Sequence, residues 1–269
     1  MLTLKQKIQN IFFPLGSIQK IRSGYLKGQK MRVSENSLWS PLIGGWEPTI
    51  QKIMVNIVRP NSIAYDLGAN NGLHGLLLAK LTGPHGKVYN FEPLPENLIE
   101  IEDNFQLNNM TNYVNVAAAI SSKPKVLKFE MHEHAKQGHL IATADEKASY
   151  INVKAISLDS FIEEGNSKPS FLKIDIEGAE GAALEGYSNH IRDTYPDMII
   201  ELHNPEQDKA VGEFLQFYGY TAYRFDPFAK LILILVKDLK KYFPDPNGIW
   251  GTVFCIGPGK RIEEYSFIK

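Results

Sequence analysis

The sequence is poor in cysteine and has almost no net charge. Its 269 residues include a single cysteine, Cys255, so no disulfide can form within the chain. The 29 Lys and Arg nearly balance the 30 Asp and Glu, which gives a formal net charge of -1. Because such a chain does not concentrate polyanions around itself, nucleic acid is not an expected partner. The single cysteine and the lack of an apolar signal segment predict a cytoplasmic protein.

Long apolar runs are also missing. The longest aliphatic stretch, residues 231–236, is far shorter than the ~20 residues that cross a bilayer. Low-complexity tracts and internal repeats are absent, and 43% hydrophobic with 22% charged residues is typical of a globular domain. We therefore predict one main domain, residues 46–269, preceded by an N-terminal extension, residues 1–45.

The N-terminal extension has a basic and amphipathic character of its own. All its charged residues before Glu35 are Lys or Arg, and they are interleaved with apolar residues. One interpretation is a helical extension docked on the main domain. The other is a basic surface, residues 1–32, that contacts an anionic membrane or an acidic substrate. Pro14 and Gly16 interrupt the amphipathic pattern, which favours the docked extension.

From residue 62 onward, short β-rich runs alternate with helical patterns, as in successive βαβ units. This alternation predicts an α/β fold, Rossmann-like and doubly wound, around a mostly parallel sheet of seven strands. The predicted strands are residues 63–66, 87–91, 113–119, 171–175, 198–201, 231–236 and 252–256, and the predicted helices are 73–81, 96–106, 179–191 and 207–218. Alternating apolar residues within 124–156 predict an inserted pair of strands around a loop.

The turn after the first predicted strand reads DLGANNG, residues 66–72. In an open parallel sheet, ligands bind beyond the carboxyl ends of the strands. Gly68 and Gly72 permit a tight turn and a close approach of backbone to ligand. A dinucleotide fingerprint would have glycine at Asn70, so that fit is poor. Asp66 suits a cationic ligand instead, such as the amino group and sulfonium of S-adenosylmethionine.

The second predicted strand ends in an acid. Glu92 lies 26 positions after Asp66, close to the ~20 expected of an acid that binds ribose hydroxyls. A surface or helix-capping role is the alternative. Ser121, after the third strand, lies where an adenine ring would rest, although a turn or cap explains it equally well.

These motifs together resemble the FkbM-type methyltransferases. The resembling segments are WEP at 46–48, DLGANNG at 66–72, FEP at 91–93, LDSF at 158–161, LKIDIEGAE at 172–180 and IELH at 200–203. The resemblance implies a Rossmann-like methyltransferase fold, S-adenosylmethionine as methyl donor, and usually O-methylation of a sugar or another small hydroxylated metabolite. The expected cofactor-binding residues are then Glu47, Asp66, Gly68, Asn70, Asn71, Gly72, Glu92, Pro93, Ser121 and Asp175.

A second group of titratable residues follows the fourth and fifth predicted strands. A neutral alcohol is a poor nucleophile, so a base or a metal ion is expected near the transferred methyl group. We predict that His203, supported by Glu201, takes the acceptor proton, while Asp175 and Glu177 position the acceptor and the cofactor. Glu180 is more typical of a first-turn helix charge.

A divalent ion, such as Mg²⁺, is the alternative to metal-free base catalysis at these residues. Its ligands would come from Asp175, Glu177, Glu201 and His203. Metal-free base catalysis is the favoured interpretation.

Two other functions fit parts of the sequence. An NAD-dependent sugar-modifying oxidoreductase shares the architecture, and Tyr150 with Lys154 reproduces its Tyr-x-x-x-Lys spacing. These two residues lie in a strand-like run, where that spacing does not bring side chains together as on a helix. A non-catalytic nucleoside-binding or membrane-surface module is the other alternative. The presence of Asp66, Glu92, Asp175 and His203 argues against it. The sequence does not indicate an oligomeric state.

Overall fold

The computed structural model of the chain describes residues 12–34, 39–131, 149–225, 233–236 and 251–265. The helices are α1 Trp39–Ile43, α2 Pro48–Ile57, α3 Leu73–Thr82, α4 Pro95–Leu107, α5 Leu158–Glu163, α6 Glu180–Glu185, α7 Ile191–Thr194 and α8 Pro205–Phe217. The strands are β1 Ile18–Lys20, β2 Lys30–Arg32, β3 Ile63–Leu67, β4 Lys87–Phe91, β5 Tyr113–Val116, β6 Ala119–Ile120, β7 Lys125–Met131, β8 Ser149–Ile156, β9 Phe171–Ile174, β10 Asp197–Leu202, β11 Thr221–Phe225, β12 Leu233–Val236 and β13 Gly251–Ile256.

The central sheet has the strand order β12-β11-β13-β10-β9-β3-β4-β5. Strands β10, β9, β3, β4 and β5 are parallel, whereas β13 runs antiparallel to both β10 and β11, and β12 antiparallel to β11. From β3 the chain adds β4 and then β5 on one side, and it later returns to place β9 on the other side of β3. The sheet therefore has its topological switch point between β3 and β9, and a ligand crevice is expected beyond their carboxyl ends.

Both faces of this sheet are covered, which explains why its central strands read as nearly continuous apolar runs. On one face Tyr65 and Leu67 pack with residues of α5 and α6, and on the other Ala64 packs with residues of α2 and α3. Within the described ranges, no helix combines the length and the apolar character needed to cross a bilayer. The predicted α/β, Rossmann-like, mostly parallel architecture is confirmed.

The strand count and the bounds of two elements differ from the prediction. The sheet has eight strands because β11, which was not predicted, pairs between β12 and β13. The predicted third strand divides into β5 and β6, and β6 joins β8 in a separate three-stranded sheet. The predicted helix 179–191 is shorter in the structure: α6 ends at Glu185 with Gly186 as its C-cap, and α7 begins at Ile191.

The insert forms as predicted. Strands β7 and β8 pair antiparallel over seven residue pairs, from Lys125 with Ala155 to Met131 with Ser149. The predicted loop between them falls largely on residues 132–148, which lie outside the described residues.

The N-terminal extension differs from the helical form predicted for it. Strands β1 and β2 form an antiparallel hairpin, and α1 is the helical part that follows. The hairpin packs on the main domain through Met31, which is buried, and through an ion pair of 2.8 Å between Arg32 Nε and Asp103 Oδ2. Residues 1–11, where the helical pattern was also predicted, lie outside the described residues.

Candidate functional site

The turn after β3 lies against the chain that leaves β9. Gly68 has a φ of +80°, and its N–H donates to the carbonyl oxygen of Phe91 at 3.0 Å. A Cβ at Gly68 would lie 1.8 Å from the backbone oxygen of Asp175. Only glycine allows both the left-handed conformation and this approach. The turn thus closes on the ends of β4 and β9 at the switch point.

Asn70 adopts the left-handed conformation, with a φ of +50°, at the position where a dinucleotide fingerprint would have glycine. Asparagine tolerates this region better than other non-glycine residues, so the turn forms without that glycine. Its neighbour Asn71 accepts a hydrogen bond from Asn104 Nδ2 at 3.0 Å through its carbonyl oxygen. At Gly72, with a φ of +79°, a Cβ would come within 3.3 Å of Ile101. The turn is therefore packed closely on α4.

Glu92 joins this turn to the end of β4. One carboxylate oxygen accepts from the N–H of Asn70 at 2.9 Å and the other from the N–H of Leu94 at 2.9 Å. Burial raises the pKa of Glu92 to about 7, and the two backbone donors oppose that rise. The Asn97 side chain donates a third hydrogen bond to this carboxylate. Because a carboxylate has about four acceptor sites, Glu92 retains capacity for one hydrogen bond from a ligand. Half-buried Pro93 follows it.

A buried lysine that the sequence patterns did not single out lies between two of the predicted site residues. Lys173, in β9, has 4% of its side chain exposed, and its Nζ is 3.1 Å from Asp175 Oδ2 and 3.6 Å from Asp66 Oδ1. Burial alone would lower the pKa of Lys173, but nearby carboxylates, Asp175 most strongly, raise it above its usual range. A lysine inside the apolar run of a buried strand is the sequence signal that could have identified it.

Burial raises the pKa values of two acids near Lys173. Burial raises the pKa of fully buried Asp66 to about 6, against the charge of Lys173. Burial raises the pKa of Glu47 to about 7, and the charge of Lys173 partly opposes that rise. Glu47 precedes α2 with a φ of +41°, and its Oε2 lies 3.3 Å from Nε2 of His74. Because burial lowers the pKa of His74 to about 3, this contact is with a neutral imidazole and is not an ion pair.

The loop after β10 places His203 against the acids that follow β9. Its Nδ1 lies 2.7 Å from Glu180 Oε1, and its Nε2 lies 3.6 Å from both Asp175 Oδ1 and Glu177 Oε2. Burial alone would lower the pKa of His203, but the hydrogen bond and charge of Glu180, followed by the charges of the other two acids, raise it to about 9. In this arrangement the imidazole is protonated at neutral pH.

Glu180 has a larger role in this cluster than the first-turn charge predicted for it. It is the first residue of α6, but its side chain is fully buried and its Oε1 also accepts the N–H of Gly178 at 3.0 Å. Glu177 and Gly178 have φ values of +54° and +100°, so the chain turns sharply between β9 and α6. Twenty-three positions separate Glu180 from His203, and no local pattern indicates that they pair.

Three of the four residues expected as metal ligands lie together in the structure. Donor atoms of Asp175, Glu177 and His203 all lie within 4.8 Å of one another, close enough to share one divalent ion. Among the described residues, Glu201 does not belong to that group. It lies near the end of β10, and burial, followed by the charge of Asp175, raises its pKa.

Ser121 follows β6 and contacts a different part of the molecule. It is buried, its N–H donates to the carbonyl oxygen of Ile156 at 2.9 Å, and its own carbonyl oxygen packs against Gly186. These contacts connect Ser121 to β8 of the insert and to the end of α6. Its role beside an adenine ring remains a prediction.

The chain is similar in sequence to known methyltransferases. Residues 66–225 match the family described as Methyltransferase FkbM domain. The chain is 26% identical over 171 residues to the hexuronic acid methyltransferase AglP of Haloferax volcanii, covering 63% of this chain and 67% of that protein. It is 23% identical over 175 residues to Methyltransferase 1 of Beauveria bassiana, covering 58% and 70%.

A solved structure of methyltransferase FkbM from Methylobacillus flagellatus is 17% identical, with a TM-score of 0.46. The similarity covers 72% of this chain and 43% of that one, so this chain spans less than half the length of that protein.

Proposed function

Since the chain belongs to the FkbM-domain methyltransferases, we propose that it transfers a methyl group from S-adenosylmethionine to a hydroxyl group of a sugar or another small hydroxylated metabolite. The relative named for hexuronic acid supports a sugar as acceptor. The observation that carries the proposal is His203, whose Nδ1 is held by buried Glu180 while its Nε2 faces the carboxylates after β9.

The residues of the crevice fit this cofactor. When bound, S-adenosylmethionine supplies a methyl group that its positive sulfonium already activates. The crevice has three carboxylates, on Asp66, Asp175 and Glu92, and one buried cation, Lys173. This excess of carboxylates favours a positively charged ligand. Glu92 retains acceptor capacity for a ribose hydroxyl, and Gly68 leaves the adjoining backbone without a side chain.

His203 acts as the proton acceptor in this proposal. Its Nε2 is the nitrogen available to the acceptor hydroxyl, because Glu180 engages Nδ1. The imidazole must be neutral before it can act, and a positively charged ligand nearby lowers the pKa of His203 from about 9 towards neutrality. Asp175 and Glu177 then stabilise the imidazolium that forms. Glu201 adds a further half-buried acid on the same sheet edge.

A divalent ion at the same place is the second candidate, favoured by the spacing of the donor atoms of Asp175, Glu177 and His203. In that case the ion would occupy the space in front of Nε2 and polarise the acceptor hydroxyl. The oxidoreductase alternative has less support. Tyr150 and Lys154 both lie in β8, where a four-residue spacing does not place them one helical turn apart.

The proposal is tested with His203→Ala, and exposed His85→Ala serves as its control. We expect turnover to fall by ~10²-fold or more, while the affinity for S-adenosylmethionine stays nearly unchanged. The assay measures S-adenosylhomocysteine formation with a panel of hexuronic acids and neutral hexoses, under conditions limited by chemistry. Wild-type turnover in the His203 variant would exclude His203 as the base.

Titration calorimetry with S-adenosylmethionine and NAD separates the methyltransferase from the oxidoreductase. Activity that a chelator abolishes and a divalent ion restores would move the assignment to the metal mechanism, with Asp175, Glu177 and His203 as ligands.

A further inference from the structure

Exposed apolar side chains are concentrated on the N-terminal hairpin segment, residues 12–34. Over the described ranges, the exposed large apolar residues are Phe12, Leu15, Ile18, Tyr25, Ile99, Val126 and Phe217. Four of these seven lie within 14 consecutive positions, and Phe12 and Leu15 are 64% and 53% exposed. The other three are scattered on separate elements, as single surface apolar residues commonly are.

The same segment carries charge of only one sign. Lys20, Arg22, Lys27 and Lys30 are exposed, and no acid occurs between residues 12 and 34. The fifth basic residue, Arg32, pairs with Asp103. The segment is therefore a local positive surface on a chain whose total formal charge is -1.

The hairpin fixes the direction of these side chains. Ile18 is opposite Arg32 and Lys20 is opposite Lys30, while the pair Gln19 and Met31 lies between them. Side chains alternate between the two faces of a strand pair, so Met31, which is 2% exposed, marks the inner face. Ile18, Lys20 and Lys30 therefore share the outer face.

The hairpin is also held firmly on the main domain. The backbone N–H groups of Lys30 and Arg32 donate to the side-chain oxygens of Asn108 and Asn104, at 2.7 and 2.9 Å. Because α4 holds the hairpin in place, the outer face of the hairpin is a fixed part of the folded structure.

We propose that the hairpin segment 12–34 is a binding surface for membranes that contain anionic lipid. Basic side chains attract the lipid phosphates, while Leu15 and Ile18 enter the boundary between headgroups and acyl chains. A nucleic acid would use the positive charge but would leave the unstacked aliphatic side chains in water. This proposal is independent of the methyltransferase activity and of its catalytic residues.

The electrostatic part is tested by sedimenting the full chain with phosphatidylcholine vesicles, with and without 30% phosphatidylglycerol. We expect binding only to the anionic vesicles, with loss of binding at high salt. Lys20→Gln combined with Lys30→Gln should weaken binding about 25-fold, because each basic residue near an anionic surface contributes about fivefold. Lys125→Gln combined with Lys128→Gln, on exposed positions of β7, is the matched control and should bind like wild type.

The apolar part is tested with an environment-sensitive fluorophore on Leu15→Cys. The only native cysteine, Cys255, is buried, so labelling is selective. We expect a blue shift on addition of anionic vesicles, and none for the same label on Val126→Cys. The proposal is overturned if the double lysine variant binds as tightly as wild type, if both vesicle types bind equally, or if no vesicles bind. Binding of a 20-nucleotide uridine RNA without vesicle binding would assign the surface to nucleic acid instead.

Discussion

The two halves of the candidate site are built by different forces. The cofactor half, formed by the turn after β3 and by Glu92, is held by backbone hydrogen bonds and by close contacts at glycine. The acceptor half, formed by the loops after β9 and β10, is held by side-chain charges around His203. One half is therefore positioned mainly by backbone geometry, and the other by side-chain charges.

The difference suits the two tasks proposed for the site. A cofactor that is the same in every turnover is best bound by a preorganised surface. Proton transfer needs a group whose charge can change, and His203 is placed where carboxylates control its pKa. Substitutions in the cofactor half should therefore act on folding and binding, whereas those in the acceptor half should act on rate and on pH dependence.

The largest effect is expected for Gly68→Ala, in the cofactor half. The new Cβ would overlap the backbone oxygen of Asp175, and neither backbone segment can move without disturbing the sheet edge. We expect a loss of about 4 kcal/mol or more in the free energy of unfolding, measured by urea denaturation. Gly259→Ala is the matched control, since Gly259 has a similar φ, +83°, but open space around its Cβ position. If the two variants lose equal stability, the close approach at Gly68 is not what requires glycine.

The same contrast explains which features the sequence could predict. The glycines of the turn and the acid at the end of β4 leave local patterns, so the turn and Glu92 were placed correctly next to each other. Lys173 also reaches Asp66, and Glu180 reaches His203, on other elements, and no local spacing reveals those two pairs. The strand β11, which was not predicted, pairs with β12, the next strand along the chain, and with the more distant β13.

Glu92→Ala should have the next largest effect, on cofactor affinity. The change removes the proposed ribose acceptor and leaves the N–H groups of Asn70 and Leu94 without their partner. We expect S-adenosylmethionine binding to weaken by about 1.5 to 3 kcal/mol, the scale of hydrogen bonds to a charged group, measured by calorimetry. Exposed Glu96→Ala, in the first turn of α4, is the control. Unchanged affinity in a folded Glu92 variant would remove Glu92 from the ribose role.

Glu180→Gln probes the acceptor half without changing the shape of the side chain. Glu180 acts as a positioning residue through His203, so we expect turnover to fall about tenfold, a part of the effect of a general base, with little change in cofactor affinity. Its removal also lowers the pKa of His203, which shifts the rising limb of the pH–rate profile to lower pH. Glu185→Gln, exposed at the end of the same helix, should leave both unchanged. A lower rate without a shifted profile would indicate a purely structural role.

The smallest effect is expected in the pH dependence of stability. The pKa of His203 is raised from 6.5 to about 9 in the folded chain, so protonation of His203 stabilises the fold fully below pH 6.5. That contribution declines as the pH rises from 6.5 and is lost above about 9. Because the imidazole is only half buried, solvent screening limits the contribution to about 1 kcal/mol.

The measurement compares urea unfolding of the wild type and His203→Gln at pH 6, 7.5 and 9.5. Other titrating groups are common to both proteins, so the difference between their unfolding free energies isolates His203. We expect the advantage of the wild type to shrink by about 1 kcal/mol over this range. A constant difference, or one that grows with pH, would mean that the carboxylates around His203 do not hold its proton. The acceptor half would then not be held by side-chain charges, and the contrast between the two halves would fail.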